Sequence, residues 1–250
     1  MIWNMLAFIC LPLQEPAAVQ AEAPADEAGI AVVELFTSEG CSSCPPADRL
    51  LAQLAAERRQ GVYLLSFHVD YWDYLGWRDP YAQDQFSRRQ RSYAQTLSER
   101  VYTPQMVVNG TAVLVGSDRG NARRNIAEGL SRAARARVTL KILAAEKKNL
   151  DLSVSVTQEG DPRLVLQLAV VEDELSHPVT RGENRGRRLS HSKVVRHFET
   201  LSPRELNKGR LTLAVPPEVR WENAQIIAYV QEEPSLRIIG ATALDLPATP

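Results

Sequence analysis

Two cysteines separated by two residues, Cys41-Ser42-Ser43-Cys44, are the groups in this sequence best suited to covalent chemistry. A thiolate attacks a disulfide sulfur and is itself expelled in the reverse step, so a close pair can pass a disulfide to or from another molecule. The pair is poorly suited to stapling. The entropy that a disulfide removes from the unfolded chain grows with the loop it closes, and two intervening residues close almost none. Redox exchange is therefore the leading expectation, with an inert disulfide as the bland reading. Two thiolates also suit a soft ion such as Cu(I), so the alternative is a copper carrier or adaptor using Cys41, Cys44 and a third ligand, His68, without turnover.

The third cysteine, Cys10, lies in an apolar stretch at residues 1–13 that is followed by Ala18-Val19-Gln20-Ala21. This is the layout of a signal peptide cleaved after Ala21, although no Lys or Arg precedes the apolar run. Cleavage would leave Cys41 and Cys44 alone in an oxidising compartment, which predicts a periplasmic or secreted protein. An only pair spaced C-x-x-C there is better explained by redox or metal chemistry than by a structural bridge.

Residues 30–37 are β-branched and apolar, which predicts a strand buried on both faces, running directly into the cysteines. Beyond Pro45-Pro46, the stripe of Leu50, Leu51, Leu54 and Ala55 predicts an amphipathic helix ending near Gly61. Residues 62–70 predict a second strand, parallel to the first through a right-handed crossover. Because a residue before proline avoids the α region, Cys44 is expected just outside the helix, with both sulfurs near the positive end of its dipole. That placement favours a stabilised thiolate and a more oxidising couple. An aromatic stretch at 71–100 predicts a helical insertion. Asn109-Gly110 between two apolar runs predicts a hairpin, and Asp118 a helix cap.

After about residue 136, short apolar runs separated by turn residues predict an antiparallel sandwich at 137–246. In that half, Arg181, Arg185, Arg187, Arg188, Lys193 and Arg196 form a basic stretch that reads as a solvated loop. His177, His191 and His197 show no metal-ligand spacing, and His68 reads as a core residue of its strand. The whole chain, 250 residues with 29 basic and 30 acidic side chains, has a formal charge of -1. No global field recruits nucleic acid, and no apolar run approaches the roughly 20 residues a spanning helix needs, so no stable membrane insertion is expected after cleavage.

The order strand, C-x-x-C, helix, strand, then hairpin and helix resembles the thioredoxin fold. Residues 33–48, 67–73, 101–110 and 182–191 are more narrowly similar to a family of secreted bacterial thioredoxin-like proteins of unassigned function. The resemblance implies an α/β thioredoxin-like fold for the domain at 30–136 with the insertion at about 71–100; the residues themselves place the all-β antiparallel sandwich domain after it, and a signal peptide at 1–21 and a disordered lead-in at 22–29 before it. It implies Cys41 as the attacking thiol, Cys44 as the resolving thiol, and Pro104 as a cis-proline orienting a substrate backbone, with Tyr102 and Thr103 beside it as substrate-positioning residues. The implied activity is thiol-disulfide oxidoreductase, with no dissociable cofactor; its partners are protein thiols or disulfides and a recycling partner. Thioredoxins carry a buried acid six positions before the first cysteine, where this chain has Leu35; Glu34 is adjacent but on the opposite face of the strand.

Overall fold

The computed structural model describes residues 20–21, 28–146, 148–158 and 163–247. The expected signal segment and lead-in lie outside these residues except at 20–21 and 28–29.

The first strand, β1, is the pair Gln20–Ala21. β2 (Ala31–Thr37) is buried along its whole length and leads into the cysteine turn, from which α1 (Pro45–Ala56) departs. β3 (Val62–His68) returns parallel to β2, with Ala31 opposite Val62 and Thr37 opposite His68. The alternation of side chains along β2 divides two cores. Ala31, Val33 and Leu35 meet the Leu50, Leu51 and Leu54 stripe of α1, whereas Val32 and Phe36 face the opposite side. α2 (Asp84–Leu97) covers that opposite side with Phe86 and Tyr93.

β4 (Gln105–Val108) runs antiparallel to β2, and β5 (Ala112–Val115) pairs with it across the Asn109-Gly110 turn. Both turn residues have positive φ, 49° and 68°. At Gly110 only glycine fits, since a Cβ would lie 1.9 Å from the Leu236 carbonyl oxygen. α3 (Arg119–Leu130) follows, its first turn capped by Asp118, whose carboxylate accepts from the Asn121 N–H at 3.0 Å.

The second half comprises β6 (Ala136–Glu146), β7 (Asn149–Gln158), β8 (Leu164–Glu172), β9 (Leu175–Pro178), β10 (Arg188–His191), β11 (Val194–Leu201), the single turn α4 (Pro203–Leu206), β12 (Arg210–Ala214), β13 (Ala224–Glu232) and β14 (Ile238–Asp245). β1, β6, β7 and β12 form a four-stranded sheet, and β9 and β10 form a separate hairpin. The remaining strands form one mixed eight-stranded sheet in the order β14-β13-β8-β11-β3-β2-β4-β5.

This arrangement overturns the expected α/β thioredoxin-like domain followed by a separate sandwich. The molecule is mostly β, and strands of both halves share one sheet. The junction is at β3, where Val194 of β11 lies parallel to Ser66 and the Ser66 N–H donates to the Lys193 carbonyl at 2.7 Å. The physical reason is the open edge of β3. A buried strand with unpaired backbone groups needs a partner, and β11 supplies it. A third core lies between the four-stranded sheet and the β8-β13-β14 end of the large one, built on residues such as Leu140, Leu152, Leu166, Ile226 and Trp221.

Candidate functional site

The cysteine turn sits at the C-terminal end of β2, where open α/β sheets commonly place their sites. Cys41 N–H donates to the Ser38 carbonyl and Cys44 N–H to the Cys41 carbonyl, at 3.1 and 3.3 Å, and this tight turn brings the sulfurs into a disulfide. Cys44 is the N-cap of α1 and has α-helical backbone angles, φ -79° and ψ -35°, contrary to the extended conformation expected before proline. The compact turn imposes this: Ala47 and Asp48 N–H both donate to the Cys44 carbonyl. Pro45 and Pro46 carry no N–H, so the first turn of α1 offers a sulfur its dipole field but no donor at those two positions. One side-chain hydroxyl stands within reach instead. The Ser43 hydroxyl lies 3.4 Å from the Cys41 sulfur.

Two loops frame the pair. On one side the Thr103-Pro104 peptide is cis, and the Ser43 hydroxyl reaches the Thr103 carbonyl at 3.5 Å. The Trp72 indole donates to the Thr103 hydroxyl at 2.8 Å, and Gln90 donates to the Tyr102 carbonyl, so the loop is held by the aromatic segment and by α2. On the other side the β9–β10 connection, residues 179–187, lies over the turn. The Asn184 side chain donates to the Glu39 and Cys41 carbonyls at 2.8 and 2.9 Å, while Ser42 N–H donates to the Glu183 carboxylate at 3.0 Å. Arg187 in turn holds the Asn184 amide oxygen. The result is a closed site: Cys41 is 1% exposed and Cys44 0%, while Ser42 and Ser43 remain at the surface.

Beside the cysteine turn, with Glu39 before it and Asp48 after it, lies a buried polar cluster. His68, at the end of β3, has its Nδ1 2.7 Å from Asp79 Oδ2, and the Glu39 N–H donates to the same carboxylate oxygen at 2.8 Å. His191, at the end of β10, has its Nε2 2.9 Å from Glu39 Oε1, while Trp77 donates to Glu39 Oε2. The two imidazoles meet edge to face, 4.8 Å between centroids. Asp48 of α1 accepts from the Thr37 hydroxyl at 2.8 Å. Burial raises its carboxyl above the ordinary value of 3.8, against the pull of nearby His191 and His68. Burial also opposes a charge on His68, but the adjacent Asp79 carboxylate outweighs it and the imidazole is raised above 6.5. Asp79 is likewise disfavoured by burial and held below 3.8 by His68 and two backbone N–H groups.

Of the residues expected from sequence, the structure therefore brings Cys41, Cys44, Thr103 and Pro104 to one place, with Tyr102 contributing its backbone. His68 belongs to the Asp79 pair, and in this state the sulfurs are bonded to each other instead of presented to a metal. Among the described residues no group of three or more His, Cys, Asp and Glu side chains is arranged as a metal site. Glu34 faces the opposite core, where Arg89 Nη2 binds it at 2.7 Å and Tyr229 donates to it. Glu39, Asp48 and Asp79 carry no site signal of their own in the sequence, nor do Glu183, Asn184 and His191, the last of which shows no metal-ligand spacing there. The last three stand in the stretch read as a solvated loop, and only their place among the segments carrying the family resemblance marked them.

The fold and site together define a mixed-sheet protein with a disulfide turn closed by a loop from its second half. The sequence matches, over residues 32–231, the model of a family described as a protein of unknown function, DUF1223, and the chain belongs to that family. A crystal structure of an Agrobacterium tumefaciens protein from a structural genomics programme is similar at 28% identity and a TM-score of 0.66, covering 90% of this chain and 98% of that one. A domain of the outer membrane lipoprotein Omp28 of Porphyromonas gingivalis aligns at 15% identity and a TM-score of 0.29, over 47% of this chain and 92% of that one. No curated protein matches the sequence.

Proposed function

We propose that this protein is an exported thiol-disulfide oxidoreductase that turns over through Cys41 and Cys44, exchanging with protein thiols or disulfides and with a recycling partner. The observation that carries the reading is the placement of the pair: a disulfide across the N-terminus of α1, facing the cis Thr103-Pro104 loop. In the oxidising direction a substrate thiolate attacks Cys41, the Cys41–Cys44 bond breaks, and Cys44 leaves as a thiolate that takes up a proton. A second substrate thiolate then attacks the substrate sulfur of the mixed disulfide. It expels Cys41 as a thiolate, leaving an oxidised substrate and a reduced protein. The reductive direction is the reverse. Either requires residues 179–187 to lift from the cysteine turn, because the sulfurs are covered.

The test is turnover with the intact protein: insulin reduction in the presence of dithiothreitol, and disulfide formation in a reduced dithiol peptide. One of the two is expected, lost in Cys41→Ser. A reduction potential near about -120 mV marks an oxidant and one near about -270 mV a reductase. Absence of both activities, with a pair that no glutathione buffer reduces, refutes the proposal.

A further inference from the structure

Burying ionisable groups is costly unless they are paired. Five of them, Glu39, Asp48, His68, Asp79 and His191, are nonetheless collected beside the cysteine turn, each at most 6% exposed. Their pairing is incomplete in a particular way. A carboxylate only accepts, so the imidazole nitrogen facing it carries the hydrogen: Nδ1 in His68 against Asp79, and Nε2 in His191 against Glu39. The opposite nitrogens, His68 Nε2 and His191 Nδ1, are buried with no partner. The site thus holds two histidine–carboxylate pairs, each with its second ring nitrogen unengaged. Asp48 links them to the sulfurs: it lies one helical turn beyond Cys44 and its N–H donates to the Cys44 carbonyl. Side chains at that spacing share a face, with Cβ atoms roughly 5–6 Å apart.

We infer that Asp48, backed by the His68–Asp79 and His191–Glu39 pairs, holds the proton that Cys44 surrenders when it resolves a mixed disulfide. This rests on the oxidoreductase reading. In that step the Cys44 thiol loses its proton to the cluster, and its sulfur attacks Cys41. The Cys41–Cys44 bond forms, the bond from Cys41 to the bound partner breaks, and the partner sulfur leaves with the electron pair as a thiolate. Cys44 is fully buried, so bulk water cannot take the proton directly, and a thiol in such surroundings resists ionisation. Burial raises Asp48 above an exposed carboxylate, which makes it the stronger acceptor, while Asp79 raises His68 and favours its imidazolium. Other groups facing the cluster are Tyr81, whose ring meets both imidazoles, His177 of β9 at 3.7 Å from Glu39 Oε2, and, beyond Tyr81, Arg196 of β11 paired with Glu172 of β8.

The two thiols can be followed separately. Reduced protein mixed with one equivalent of dithiobis-nitrobenzoate releases one thionitrobenzoate when Cys41 attacks and a second when Cys44 resolves the mixed disulfide. At about pH 6, Asp48→Asn is expected to slow the second release by about 100-fold while leaving the first within about threefold, and the gap closes toward about pH 9, where more of the Cys44 thiol is already ionised. His191→Gln keeps a donor for Glu39 but no base, and slows the second release by about tenfold. Equal second-release rates and pH profiles in the wild type and in these variants would overturn the inference. So would both releases slowing together. Far-UV circular dichroism confirms that each variant is folded, and His68→Gln replaces any that is not. No first release from the wild type refutes the oxidoreductase reading, and with it this inference.

Discussion

Removing the Asn184 side chain should uncover the disulfide. In the closed state its amide donates to the Glu39 and Cys41 carbonyls, and it is wholly buried between residues 179–187 and the cysteine turn. A neutral hydrogen bond contributes about 1 kcal/mol net, so the two together hold the cover with about 2 kcal/mol. Because about 1.4 kcal/mol corresponds to a factor of ten, Asn184→Ala should raise the open population by about 30-fold. The assay is the rate at which a small phosphine reductant opens the Cys41–Cys44 bond under native conditions, read by trapping the freed thiols with iodoacetamide. When the loop recloses faster than reduction occurs, that rate tracks the open population. The expected result is an acceleration of about 30-fold in Asn184→Ala. Glu183→Ala should give a smaller one, since its bond to Ser42 N–H is at the surface. An unchanged rate in Asn184→Ala refutes the reasoning. So does an acceleration that merely follows global unfolding, shown by the same urea dependence for reduction and for loss of circular dichroism.

Ser43→Ala removes the hydroxyl beside the Cys41 sulfur and should slow alkylation of reduced Cys41 at about pH 6 by about tenfold, as expected for one hydrogen bond to a charged group. Asp48→Asn should change stability with a definite sign: the folded carboxyl titrates above 3.8, so the folded chain binds more protons there and its stability falls as pH rises through the folded value. The variant, neutral throughout, should melt above the wild type at about pH 8, with the difference vanishing near about pH 3. Arg89→Met leaves Glu34 charged and buried without its partner and should cost about 3–5 kcal/mol in urea denaturation. A fragment ending at Ala136 should fail to melt cooperatively in calorimetry, because β3 loses β11 and the core around Phe67 loses Val171, Val195 and Tyr229.

How much of this was legible follows from the range of the forces involved. β2 and α1 are written in local periodicity, and the Asn109-Gly110 turn in the φ values its two residues tolerate, so the sequence places each of them. The pairing of β11 with β3 has no such signature. Val194, Val195, Arg196, His197 and Phe198 mix apolar and charged residues because one side packs into the core and Arg196 meets Glu172, and that mixture reads as a basic loop. The separate sandwich is an expectation from a change in strand texture, and texture does not reveal that a strand edge 128 residues away, at Ser66 opposite Val194, stands open. The cysteine pair was visible because its chemistry is local. Asn184 and His191 act across 143 and 152 residues of chain, as hydrogen-bond partners of Cys41 and Glu39, so only the folded contact gives them a role.

The mixed sheet explains why the second half takes part in the site at all. His191 reaches Glu39 and Asn184 reaches the cysteine turn only because β11 lies beside β3, which sets the β9–β10 hairpin above the C-terminal ends of β2 and β3. One hairpin then carries both the cover of the sulfurs and one of the two imidazoles of the cluster. Lifting residues 179–187 to admit a partner therefore acts on an element that also holds His191 against Glu39. On the proposed reading, access to Cys41 and proton uptake behind Cys44 are joined through β10. That coupling separates this arrangement from a redox pair exposed on a free-standing domain, where access and proton transfer can be changed independently.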